Sequence, residues 1–224
     1  MRILYAIAAL ATAATLTTPA FAGWVSEDWY VSIGAGVAIP EDMDTSNVIN
    51  PAASEELSFD TGYSIVGAIG DSSPRFIRSE LEVGYRSFDA DQLTDGTNTF
   101  GPFNMDGDAE VWNVGWNGYY DFELESMIQP YVGVGVGAAY FSVDVNNAST
   151  PAANVWSAED WGFYYQGIIG ASAEVGPKHR LFIEYRYFST MGVNAESNFG
   201  AFTPDTNDDQ FRSHSIMAGF RISF

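Results

Sequence analysis

Eight charged side chains recur at alternate positions within short apolar stretches: Arg78, Glu80, Glu82, Arg86, Glu174, Glu184, Arg186 and Arg221. Four are acids and four are bases, so their charges balance. Charged groups cannot be buried unpaired, and equal numbers allow ion-pair networks in a dry interior. Two other sets invite a chemical reading. Ser213-His214-Ser215 has the residue types of a hydrolase. Adjacent strand residues point to opposite faces, so His214 and either serine cannot simply face each other, and no third partner is apparent. Asp106-Gly107-Asp108 and Asp89-Ala90-Asp91 have carboxylate oxygens of the kind that Ca²⁺ and Mg²⁺ favour. Neither matches EF-hand spacing, and solvated charge explains both. No residue is assigned as catalytic, cofactor-binding or metal-ligating.

The elements that must position the eight charges read as strands. Pro130–Ser142, PYVGVGVGAAYFS, puts Val132, Val134, Val136, Ala138 and Tyr140 on one face and Gly133, Gly135, Gly137, Ala139 and Phe141 on the other. Glycine weakens a strand interior, so glycines at alternate positions signal a need for space. A narrow barrel supplies one, with valines toward lipid and glycines toward a crowded lumen. The segment 75–88 sets Ile77, Leu81, Val83 and Tyr85 against Arg78, Glu80, Glu82 and Arg86. Similar contrasts run through 28–38, 61–70, 109–122, 130–144, 161–175, 180–188 and 210–224, giving eight predicted strands.

Their connections alternate in length. Asp71–Pro74 and Gly176–His179 are tight turns and Glu123–Gln129 is somewhat longer; Ile39–Asp60, Asp89–Asp108, Val145–Asp160 and Ser189–Asp209 are long and polar. Short turns at one end and long loops at the other fit an all-β, eight-stranded antiparallel up-and-down transmembrane β-barrel. A soluble lipocalin-type barrel also alternates, but it buries an apolar inside and wets its outside. A soluble sandwich would need a core for the Trp, Tyr, Phe, Val and Ile on nearly every strand. The long loops hold seventeen acids and no base, whereas Arg75, Lys178 and Arg180 sit beside the short turns. A sandwich gives no reason for that polarity.

Arg2, the apolar run Ile3–Leu16 and the A-x-A-like Ala20-Phe21-Ala22 read as a secretory signal peptide over 1–22. The run is short for a membrane helix, which needs ~20 residues. Residues 23–224 form one expected domain. The chain has no Cys, so an exported protein must be stable without disulfides. The net charge of −20 argues against nucleic acid as a partner. No cofactor is implied.

NGYYDF at 117–122, PYVGVGVG at 130–137, YQGIIG at 165–170, EYRYF at 184–188 and AGFRISF at 218–224 resemble the outer-membrane β-barrel family. The group is the opacity-porin and surface-antigen-like one, similar in architecture to OmpA-type eight-stranded barrels. The resemblance covers the strands and the signal peptide, about two-thirds of the chain. It implies a Gram-negative outer membrane as the location, lipid and lipopolysaccharide as surroundings, and the barrel assembly machinery as a partner. Phe220, Ile222 and Phe224 resemble the C-terminal signal that this machinery recognises. Unlike longer OmpA-type chains, this one is expected to end at its last strand, without a peptidoglycan-binding domain.

An eight-stranded lumen is largely filled by side chains. Here the filling is the charge network with Tyr119, Tyr131, Tyr164, Phe182 and Phe188. The expected function is therefore structural and surface-exposed, with the loop carboxylates as sites for divalent cations that bridge to lipopolysaccharide. Three alternatives stand beside it. One is a narrow or gated conduit. Another is a loop-mediated adhesin, with Phe100, Phe103, Trp156, Phe199 and Phe202 as contacts. The third, a lipid A-modifying enzyme through His214, is the weakest. Trp29, Tyr63, Tyr85, Trp112, Tyr120, Tyr140, Trp161, Tyr187 and Phe224 are candidates for interfacial girdles.

Overall fold

Val132, Val134 and Val136 are exposed while Gly133 and Gly135 between them are buried, and this alternation organises the whole molecule. The structure is a computed structural model that describes residues 28–41, 43–46, 54–72, 76–95, 103–147, 154–191 and 210–224. Residues 1–22, expected to be a signal peptide, lie outside the described residues. Ten strands follow one another: β1 (Trp29–Pro40), β2 (Met43–Ser46), β3 (Ser54–Phe59), β4 (Gly62–Asp71), β5 (Ile77–Asp95), β6 (Phe103–Asp121), β7 (Ile128–Asn147), β8 (Asn154–Gly176), β9 (His179–Met191) and β10 (Arg212–Ser223).

Eight of them close into an antiparallel barrel. Each of β4 through β10 pairs with the next, and β1 lies between β4 and β10, which closes the ring. Closure leaves no open edge in the membrane, where an unpaired backbone group has no water to bond. Strands β2 and β3 are additions to the eight expected strands. Residues Glu55–Phe59 of β3 pair with the outer part of β5, and β2 pairs with β3, all beyond the barrel proper.

At the short-turn end the strand ends are tied down. The Ser72 Oγ donates to the Asp28 carbonyl at 3.0 Å. The Ser223 amide donates to the Lys178 carbonyl at 2.9 Å, and the Phe224 amide to the Trp29 carbonyl at 3.0 Å. At the opposite end, β5 to β8 run further than their apolar patterning indicates. Asp89, Asp95, Asp106, Asp108, Glu159 and Asp160, expected in loops, stand on strand extensions. The ladder continues into water, where no alternation of apolar residues is required.

The outward face carries an apolar belt between two aromatic rings. Tyr63, Tyr85 and Trp112 lie in contact on three neighbouring strands, as do Tyr140 with Trp161 and Tyr165 with Tyr187. Phe76, Tyr120 and Phe122 group at the short-turn end, where Trp29 and Phe224 also stand. From Trp112 to Tyr120 is roughly 26 Å along β6 at ~3.3 Å per residue. Tilted by ~40°, that is about 20 Å of height, close to the ~25 Å apolar band of such barrels.

Candidate functional site

Inside the barrel, β5 is the strand that delivers charge. Arg78, Glu80, Glu82, Arg86 and Phe88 all face inward and are buried, because each lies an even number of residues from the next on a flat, paired strand. The seven buried members of the expected charge set fall into three levels between the short-turn end and the long-loop end.

The lowest level is centred on Glu80. Arg78 Nη1 donates to Glu80 Oε1 at 3.0 Å, and Tyr30 Oη donates to the same oxygen at 2.8 Å. Tyr119 Oη donates to Glu80 Oε2 at 3.1 Å. Arg221 Nη2 lies 3.9 Å from Glu80 Oε1, with its guanidinium over the Tyr30 ring. Arg78 Nε meets Asp121 Oδ2 at 2.6 Å.

The middle level joins β5 through β9. Arg186 bridges two acids, with Nη1 at 2.6 Å from Glu82 Oε2 and Nε at 2.7 Å from Glu184 Oε1. Asn117 Nδ2 donates to Glu82 Oε2 at 2.9 Å, and Gln166 Nε2 donates to Glu82 Oε1 at 3.1 Å. Tyr131 Oη donates to Glu184 Oε2 at 2.8 Å. These contacts satisfy both Glu82 oxygens, as a fully buried carboxylate requires.

Arg86 forms the third level. Its Nη1 donates to Asn113 Oδ1 at 2.7 Å, and its guanidinium lies 4.0 Å from the Phe188 ring centre. Above it the lumen turns apolar. Phe88, Val111, Phe141, Tyr164, Phe188 and Phe211 form one buried cluster at the long-loop end. Phe211 packs on Phe88 and Phe141 with ring centres 5.5 Å away in each case. It precedes β10 and is held by its amide donating to Thr190 Oγ1 at 3.0 Å.

Glu174 does not join the other seven. Its side chain is 56% exposed and pairs with Arg180 at 3.5 Å at the short-turn mouth. It has the parity of a lumen residue on β8 but stands at the rim. The β8–β9 register shifts between Glu174 and Gly176, so the residue sits where the barrel wall ends. Asp121, absent from the expected set, restores the balance through Arg78. Asn113, Asn117, Gln166 and Tyr30 also belong to the network. The first three could be read from their place on the polar face; nothing in the local sequence singles out Tyr30 as a carboxylate donor.

The glycines of β7 have the role their spacing suggested. A Cβ on Gly133 would meet the Tyr119 ring, one on Gly135 would meet Asn117 and Gln166, and one on Gly137 would meet the β6 backbone and Tyr164. By contrast, a Cβ on the outward-facing Gly118 or Gly167 would meet nothing within 4 Å.

Ser213 and Ser215 are buried on the inward face, and His214 faces out. His214 contacts Tyr185 Oη through Nδ1 at 2.6 Å and Glu41 Oε1 through Nε2 at 2.8 Å. Neither serine reaches it, as strand geometry dictates. Among the described residues, no group of three acid or imidazole side chains is placed to hold a metal ion. The side chains of Asp91, Asp106, Phe103 and Trp156 lie outside the described residues, as do Phe100, Phe199 and Phe202 altogether. Phe220 and Ile222 are half-buried on the outer wall and Phe224 is exposed at its lower edge.

Residues 8–224 match the family model for the outer membrane protein beta-barrel domain. An uncharacterized protein of Brucella abortus (strain 2308) is 29% identical over 136 residues, which cover 52% of this chain and 48% of that protein. The chain thus spans about half the length of these relatives. A Rickettsia conorii protein whose name carries adhesin as a provisional label is 25% identical over 224 residues, covering 92% of this chain and 86% of its own. Among solved structures, Neisserial surface protein A matches with a TM-score of 0.55 at 20% identity, over 89% of this chain and 98% of that one. OprG from Pseudomonas aeruginosa matches with a TM-score of 0.53 at 18% identity, over 87% and 95%. At such identities the structural matches speak to the fold alone.

Proposed function

The chain belongs to the outer membrane protein β-barrel family, and from that premise we propose that it is a closed, non-catalytic barrel that displays an acidic surface outside the cell. The observation that carries this reading is the lumen. From Asp121 to Phe211 it is filled by hydrogen-bonded ion pairs and then by aromatic rings. Such a filling supports a framework role over a diffusion pore. Separation of His214 from both serines supports the absence of hydrolase chemistry. In the same reading, residues 1–22 are a cleaved export signal, and Phe220, Ile222 and Phe224 address the chain to the assembly machinery.

The outer surface would meet lipopolysaccharide through divalent cations. The acids of the long loops, with no base among them, support this reading, because Ca²⁺ and Mg²⁺ favour carboxylate oxygens. The test combines planar-bilayer recording with calorimetry on the purified barrel. Absence of steady conductance, with Ca²⁺ or Mg²⁺ binding that a low-charge rim variant loses, supports the reading. Sustained open-channel current would overturn the closed barrel, and equal binding by the variant would remove the cation.

A second reading, adhesion through the long loops, is favoured by one observation, the Rickettsia relative and its provisional name. Loop deletion that abolishes host-cell binding while the barrel still folds would support it. Unchanged binding would remove it.

A further inference from the structure

We propose that Arg86, with the hydroxyl of Ser64, forms a binding site for a small monovalent anion of the chloride class in the outer half of the lumen. The other three lumen arginines each face a carboxylate: Arg78 meets Glu80 and Asp121, Arg186 meets Glu82 and Glu184, and Arg221 meets Glu80. Among the described residues, no carboxylate lies within ion-pair distance of Arg86. The nearest acid along its own face, Glu82, is already engaged by Arg186, Asn117 and Gln166. Arg86 is completely buried, and its Nε and Nη2 have no hydrogen-bond partner.

Ser64 stands directly opposite Arg86 on β4, and both face inward. Its hydroxyl is fully buried and also lacks a partner. Asn113 and the Phe188 ring engage one N–H and one face of the cation, and neither carries a formal charge. Asp121, the acid that balances the lumen charge, lies at the opposite end beside Arg78. A neutral acceptor would satisfy the free N–H and O–H groups but leave the Arg86 charge without a counter-charge at its own level, which is costly. A small anion does both.

The test uses the full barrel refolded in detergent in sodium chloride or sodium gluconate at equal ionic strength, with ³⁵Cl NMR line broadening and thermal unfolding as readouts. Crystals grown in bromide supply an anomalous signal from the wild type alone. Excess chloride broadening and a halide-dependent rise in the unfolding midpoint are expected, both lost in R86Q and kept in R221Q. An anomalous bromide peak beside Arg86 is expected as well. Should R86Q not fold, as judged by heat-modifiable gel mobility, the S64A variant is read in its place and should weaken the broadening. Equal stability in chloride and gluconate, broadening unchanged in the variants, or bromide peaks only on the outer surface would each overturn the site.

Discussion

Arg186 Nη1 lies 2.6 Å from Glu82 Oε2, although the two residues are 104 positions apart in the chain. Both are buried inside the barrel, one on β9 and the other on β5. The contact spans the lumen, so it forms only once the ring has closed.

Removing one member of this pair should therefore be expensive. Arg186→Met is expected to destabilise the barrel by about 3–5 kcal/mol, because Glu82 is left buried without its counterion. The double variant Arg186→Met/Glu82→Leu should recover much of that loss. Urea unfolding in detergent micelles, followed by tryptophan fluorescence, measures both. Equal losses for the single and double variants would mean that the pair is not coupled.

The inner and outer glycines should respond oppositely to one added methyl. Gly135→Ala places a Cβ against Asn117 and Gln166 and is expected to cost about 1–3 kcal/mol by overpacking. Gly118→Ala and Gly167→Ala add a methyl to open outer-wall positions and should be neutral or mildly stabilising. The same unfolding assay decides, with the ordering of the three variants as the readout.

Charge on the outer wall should be costly in proportion to depth. Val134 is 71% exposed at mid-height, so Val134→Arg is expected to cost about 2–4 kcal/mol in lipid. Tyr63→Arg, in the outer aromatic ring, should cost only about 0–1 kcal/mol from the charge itself. A spin label at Val134 should report hydrocarbon. Aqueous accessibility there would reverse the assignment of inside and outside.

Phe211 should seal the outer mouth. Phe211→Ala removes the ring that touches both Phe88 and Phe141, and is expected to lower stability by about 3 kcal/mol. It should also raise the frequency of brief conductance events in planar bilayers over the wild type. A silent variant of normal stability would show that Phe211 is not the seal.

Much of this architecture is legible in a single chain because a barrel wall has period two. Val132 against Gly133, or Leu81 against Glu82, declares which side faces lipid, and eight such stretches declare the number of barrel strands. The sign and parity of Arg78, Glu80, Glu82, Arg86, Glu184, Arg186 and Arg221 follow from the same rule. Depth does not. Glu174 has the parity of a lumen residue but lies at the rim, and Asp121, near the end of its own strand, enters the network instead. The outer extensions of β5 to β8 were invisible for a related reason: in water the ladder persists without apolar alternation to mark it.

The amino-acid sequence by itself determined the eight barrel strands, their faces and most of the inward charge, since these depend only on local alternation. Which acid meets which base was decided by tertiary structure alone. Register and barrel closure set those distances, and they bring Arg186 to Glu82 while leaving Arg86 with Asn113 and the Phe188 ring. Pairing across a lumen is a property of the closed ring, and no local stretch of chain contains it.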